Sequence, residues 1–229
     1  MALTARAETP GGSVTERKKP PSGLVALAEK HGFLLLEDAP YRPLRYRGKE
    51  EPTLFELAPQ RTLHMSSFSK LIGPGPRLGF MLGDSALLTK VAKVAEDTYI
   101  SPNYLAHGIA YEWCRRGRLA PQIEKLKALY APRLDACLAA LEKYMPDAVA
   151  TKPDGGFFLS VTLPAGVSTA AVRATATKRS LNLADGMAFF PEGGGERFLR
   201  LPYCALAPRE IEDGIKRLAD SVAEARGGR

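Results

Sequence analysis

The sequence predicts an α/β fold, mainly parallel sheet with flanking helices, followed by a smaller α+β unit. Three observations predict it. A helical stripe of Leu24, Val25, Leu27 and Ala28 runs straight into an apolar stretch at residues 33–37, the helix-then-strand step of a parallel sheet. Two more apolar stretches, at 61–66 and 77–82, lead into a helix at 85–96. Beyond residue 120, long helices alternate with short strands that lack any regular βα order, which is the α+β pattern.

Residues 1–23 are rich in Thr, Gly, Pro and charge and carry neither apolar period, so loop or disorder is expected there. The first helix should stop at His31-Gly32, because glycine readily takes the left-handed conformation that ends helices. In the helix at 85–96, Leu87, Leu88, Val91 and Val94 form the expected core-facing side. A helix at about 104–116 precedes a longer one at 121–145. There, Ile123, Leu126, Tyr130, Leu134, Cys137, Leu138 and Leu141 recur every three or four residues, and Pro132 should kink the helix. The remainder reads as a strand at 157–163, a helix at 169–179, short strands near Leu181 and Phe198, and a closing helix at 208–223. The resulting division is 1–23, 24–115 and 116–229.

With 229 residues, 45% hydrophobic and 25% charged, the chain can bury a real core and is not of disordered composition. Its apolar runs are too short to span a bilayer and its start lacks a secretory h-region, so a cytoplasmic protein with no membrane association is expected. Cys114, Cys137 and Cys204 are odd in number and far apart, which fits neither a disulfide framework nor a metal cluster. The net charge of +7 is spread among acidic residues rather than gathered on one stretch, and no nucleic-acid partner is expected. The densest basic run, Arg17-Lys18-Lys19 before Pro20-Pro21, reads as a solvated segment.

Chemistry concentrates in two segments. Residues 67–77, Ser-Phe-Ser-Lys-Leu-Ile-Gly-Pro-Gly-Pro-Arg, follow a strand end and offer hydroxyls, a guanidinium and backbone that a ligand can approach closely. Those donors suit a phosphate dianion, and Lys70 among them could form an imine with an aldehyde. Residues 37–42, Glu-Asp-Ala-Pro-Tyr-Arg, end the apolar strand at 33–37; open α/β sheets deliver ligand-binding groups at such carboxyl ends, and Asp38 there could pair with a protonated ring nitrogen. Taken singly, each residue is more simply a turn residue or a solvated charge. Phe157 and Phe158 read as core, and Gly193-Gly194-Gly195 as a loop without a phosphate role, since no helix follows it.

Asp38-Ala39-Pro40-Tyr41, then Ser67-Phe68-Ser69-Lys70 with Pro74-Gly75 and Arg77, then residues 153–158 and finally Phe198-Leu199-Arg200-Leu201 resemble, in order and spacing, the signatures of class I/II (fold-type I) aminotransferases that use pyridoxal 5'-phosphate. Within that class the chain is most similar to the 2-aminoadipate-type subgroup. The resemblance covers about residues 24–223. It implies part of the cofactor-binding large domain followed by the C-terminal small domain, without the N-terminal half that members of the family carry. It also implies catalytic and cofactor-binding roles for Lys70, Asp38 and Tyr41. Lys70 would carry the cofactor and move the proton, Asp38 would pair with the pyridinium nitrogen, and Tyr41 would hydrogen-bond the phenolic oxygen.

By the same resemblance Ser67, Ser69 and Arg77 bind the phosphate, Arg200 clamps the substrate's α-carboxylate, and no metal takes part. The implied activity is transamination between an amino acid and a 2-oxo acid, in a homodimer; the short chain itself is expected to turn over weakly or not at all. Thr9-Pro10-Gly11-Gly12 is similar to the family's Asn-Pro-x-Gly motif, with Thr9 where the asparagine stands. Two other readings accompany this one: an aminotransferase-like effector-binding domain of a transcriptional regulator, and a lyase using the same cofactor.

Overall fold

A computed structural model of the chain describes residues 2–6, 13–14 and 21–227. The chain forms two compact units, divided between Lys127 and Ala128, except that Ser13 groups with the second.

The first unit is built on a four-stranded sheet. β1 (Ala2–Arg6) comes first, then β2 (Ser13–Val14), a two-residue strand outside that sheet, then α1 (Pro21–His31) and β3 (Leu34–Asp38). α2 (Leu54–Leu57), β4 (Thr62–Ser67), β5 (Gly79–Leu82), α3 (Ser85–Tyr99) and α4 (Tyr104–Arg115) follow. The sheet order is β1-β3-β4-β5; β1, β3 and β4 run parallel, and β5 pairs antiparallel with β4.

β1 lies where the sequence alone reads as loop. It pairs with β3 from Ala2 beside Leu34 to Arg6 beside Asp38. Its residues have no strand pattern of their own; the backbone of the leucine run in β3 offers a ladder for them to complete, so tertiary pairing decides where local preference does not. Thr9-Pro10-Gly11-Gly12 and Arg17-Lys18-Lys19 lie outside the described residues.

α1 starts at Pro21 and closes as expected: Gly32 has φ +70° and its N–H donates to Ala28 O at 2.9 Å. Val25 and Ala28 pack with Leu35, Leu54 and Ala58, flanked by Leu24 and Phe33, to make this unit's core. α2 is a single turn held by a capping box, in which Thr53 Oγ1 accepts from Glu56 N–H and the Glu56 carboxylate accepts from Thr53 N–H.

The far side of the sheet departs from expectation. All four residues of β5 are exposed, no residue of α3 is buried, and Val94, expected toward the core, is 66% exposed. The apolar stripe is real, and Leu87, Leu88 and Val91 on it are half-buried, but none of it is buried as a core side would be.

The second unit takes the larger part of α5 (Leu119–Tyr144), which continues through Pro132 as one helix. Only its later stripe, Leu134, Cys137, Ala140 and Leu141, is buried. Burial pushes the Cys137 thiol up to about 12, as expected for a small core residue with no charge beside it.

Next come β6 (Val149–Ala150), β7 (Gly155–Gly156), β8 (Phe158–Thr162), α6 (Thr169–Thr177), β9 (Phe198–Pro202) and α7 (Pro208–Gly227). β6, β8 and β9 form an antiparallel sheet in that order. Leu159, Val161, Leu199 and Leu201 alternate inward from it, and Val172, Ile211, Ile215 and Leu218 are buried from α6 and α7.

No strand forms at Leu181, where one was expected. Ser180 N–H donates to Thr177 O and Leu181 N–H to Ala176 O, with Ser180 at φ +56°. This is the double bond of a Schellman ending, and it uses Leu181 to close α6. The α/β first unit and α+β second unit agree with the fold class expected from the sequence.

Candidate active site

The parallel strands β3 and β4 end side by side, and their last residues are tied together. Asp38 is in register with Met65, Ala39 N–H donates to Met65 O at 2.9 Å, and Ser66 Oγ donates to Ala39 O at 3.3 Å. The chain leaving β3 turns at once. Tyr41 has φ −99° and ψ −6°, the sparsely used bridge region, and is 7% exposed.

The chain leaving β4 folds into a one-turn 3-10 helix, Phe68–Lys70. Ser67 caps it: its hydroxyl accepts from Ser69 N–H at 3.1 Å and donates to Leu78 O at 3.1 Å. Phe68 N–H donates to the same carbonyl at 3.0 Å, so the loop from 68 to 78 is pinned at its neck. Gly79 is required beside that neck, since a Cβ there would stand 2.8 Å from Ser66 O.

This bracing aims the amine and the guanidinium. Lys70 Nζ lies 5.4 Å from the centre of the Tyr41 ring, a cation against an aromatic face. Arg77 is exposed, and its Nη1 donates to Ser69 Oγ at 3.4 Å. Its φ of +51° is left-handed, an uncommon conformation for a side-chain-bearing residue.

Asp38, Tyr41, Ser67, Ser69, Lys70 and Arg77 therefore gather at one edge of one sheet, where β3 and β4 end and β5 begins. The edge offers an acid, a phenol, a primary amine, hydroxyls and a guanidinium. An anionic aromatic aldehyde with a basic ring nitrogen needs that donor set, so the residues fit pyridoxal 5'-phosphate.

Arg200 belongs to the second unit, on β9 in register with Ser160. Its guanidinium carbon lies 3.6 Å from the centre of the Phe158 ring and 5.4 Å from that of Phe189. Stacking on these aromatic faces holds the planar fork. Phe158, expected in the core, is half-buried and forms one wall of this clamp. Gly193, Gly194 and Gly195 all have left-handed φ, at +89°, +101° and +81°, in the loop before β9.

Sequence reasoning gave no role to Glu37, which is fully buried on β3. Its carboxylate accepts from Leu54 N–H at 2.9 Å and Phe55 N–H at 3.3 Å, and lies 2.9 Å from His64 Nδ1. Burial alone would raise this carboxyl; the bonds from His64, Leu54 and Phe55 outweigh it and hold Glu37 below the ordinary glutamate range. The signal was a charge inside a leucine strand. Tyr203 is also fully buried, and its hydroxyl bonds Gly155 O and Gly156 O at 3.2 and 2.8 Å.

Fold and edge together define an α/β protein with an amine-bearing site at the carboxyl ends of its parallel strands. The model of the family described as aminotransferase class I and II matches residues 9–218, and the chain belongs to that family. It is 33% identical to an aromatic-amino-acid aminotransferase of Thermococcus litoralis over 219 residues, 95% of this chain and 52% of that protein.

Among solved structures it resembles a Pyrococcus horikoshii kynurenine aminotransferase in complex with PMP, at TM-score 0.91 and 32% identity over 97% of this chain and 56% of that one. It also resembles an alpha-aminoadipate aminotransferase of Thermus thermophilus complexed with N-(5'-phosphopyridoxyl)-L-leucine, at TM-score 0.84 and 28% identity over 90% and 54%. The chain spans about half the length of these relatives. Among the described residues no helix is long and apolar enough to cross a membrane, and no group of three metal-ligating side chains occurs.

Proposed function

We propose that this chain carries the cofactor edge of a transaminase, which moves an amino group between an amino acid and a 2-oxo acid with pyridoxal 5'-phosphate. The convergence of Lys70, Tyr41 and Asp38 with the Ser69–Arg77 pair at one sheet edge carries this reading. The bound cofactor supplies an aldehyde and an electron-withdrawing ring that stabilises negative charge at the substrate's α-carbon.

The chain's own groups do the rest. Lys70 would hold the cofactor, and its amine would take the proton from the substrate's α-carbon and deliver it to the cofactor's aldehyde-derived carbon. The Asp38 carboxylate keeps the ring nitrogen protonated, and the Tyr41 hydroxyl donates to the phenolic oxygen. Arg77 and Ser69 hold the phosphate. Ser67, whose hydroxyl already bonds Leu78 O, braces the turn and adds a phosphate contact if that bond is exchanged. Arg200, held flat by Phe158, takes the substrate's α-carboxylate through paired N–H groups.

The similar proteins are named aminotransferases, which favours transamination over a lyase or a regulator's effector domain. The family resemblance also supports a homodimer.

An absorbance spectrum tests the site directly. Purified protein with added pyridoxal 5'-phosphate should develop a visible band that borohydride abolishes as it fixes the cofactor onto Lys70, and Lys70→Ala should show neither. A band of equal intensity in both proteins, or none in the unaltered one, would overturn the reading.

A further inference from the structure

We propose that Glu37 and His64 are a positioning pair for this site: their buried contact sets the register of β3 on β4 and so fixes where Asp38 and Ser67 leave the sheet. The proposal rests on the cofactor reading above but stands on its own geometry. β3 reads Leu34-Leu35-Leu36-Glu37-Asp38. Three identical leucines specify register poorly, because a slip of two residues presents the same side chains to the same faces. Such a slip would move Asp38 by roughly 6–7 Å along the strand.

Glu37 removes the ambiguity. It is in register with His64, and the carboxylate meets His64 Nδ1 at 2.9 Å only in this alignment. The other partners, Leu54 N–H and Phe55 N–H, are the first donors of α2, so the same carboxylate ties sheet to helix. A buried carboxylate is strongly disfavoured unless so satisfied, and every misaligned pairing would leave it unsatisfied. Side chains alternate along a strand, so Glu37 faces α2 while Asp38 takes the opposite face. The pair therefore acts on the site through the backbone, and the last ladder bond of that junction is Ala39 N–H to Met65 O.

The test measures amide hydrogen exchange at Ala39 and pyridoxal 5'-phosphate affinity by absorbance titration in Glu37→Gln, His64→Leu, His64→Gln and Thr53→Ala. Thr53→Ala is the stability control: it breaks the capping box of α2 and leaves the carboxylate's three partners in place. His64→Gln retains a neutral donor. We expect His64→Leu and Glu37→Gln to speed Ala39 exchange and weaken cofactor binding about tenfold each, with a displaced absorbance maximum. His64→Gln should restore both, and Thr53→Ala should leave both unchanged at a similar loss of global stability.

Ala39 exchange in His64→Leu no faster than in Thr53→Ala would overturn the proposal, as would failure of His64→Gln to rescue. Should unaltered protein bind no cofactor, the functional reading falls, while exchange at Ala39 still decides the positioning role. If Glu37→Gln does not fold, the two His64 variants decide alone.

Discussion

A carboxylate with no exposed surface, Glu37, joins β3 to β4 and α2 in the first unit. Glu37 is held below the ordinary glutamate range, so the stability it contributes is fully present above about pH 4.3, the value for an unfolded glutamate, and is lost as pH falls through its lower folded value. Circular dichroism across about pH 5 to 3 should show acid unfolding of the unaltered chain that is steeper than in Glu37→Gln, which has no carboxylate to protonate. Equal slopes would mean that other carboxylates govern acid sensitivity.

Residue by residue, the groups that the proposed chemistry would use stand out from their surroundings: an acid ending an apolar strand and a lysine in a Ser-Gly-Pro turn. Glu37 was visible as a charge in a leucine strand, but its role was not, because that depends on a histidine 27 positions away. Arg200 was legible as a guanidinium; the flat stack on Phe158 that orients it was not, since that contact forms across β8 and β9.

At the scale of elements, strands and helices with their own apolar period were readable, and errors fell where a neighbour decides. β1 forms because β3 offers a ladder, and Leu181 ends a helix rather than starting a strand. The end of α6 carries a cost that a substitution can remove. Ser180 occupies the left-handed region at φ +56°, where a Cβ crowds the backbone, and glycine would adopt it freely. Ser180→Gly should stabilise the folded chain by about 0.5–1 kcal/mol, after the greater freedom of glycine in the unfolded state is allowed for. Urea denaturation would show it as a higher midpoint at unchanged slope; a lower midpoint would mean that the serine hydroxyl contributes more than its backbone costs.

For the molecule as a whole, the sequence pattern changes after residues 100–102 and suggests a division at 115/116, while contacts divide the chain at 127/128; the bare face of the first unit had no such signal. A hydrophobic stripe predicts burial but does not name the layer that buries it. Among the described residues β5 has a strand partner only on its β4 side, and Phe80, Met81 and Leu82 on it are 39%, 44% and 44% exposed. Open strand edges with apolar side chains pair with other chains unless charge keeps them apart. The formal charge of +7 supplies that repulsion, and salt screens it over about 10 Å at 0.1 M. Sedimentation velocity should therefore show self-association that grows with ionic strength, opposite to an interface held by ion pairs. Met81→Lys, which adds a charge to the open edge, should suppress it; association unchanged by that substitution would place the contact elsewhere, while association that weakens with salt would make it electrostatic.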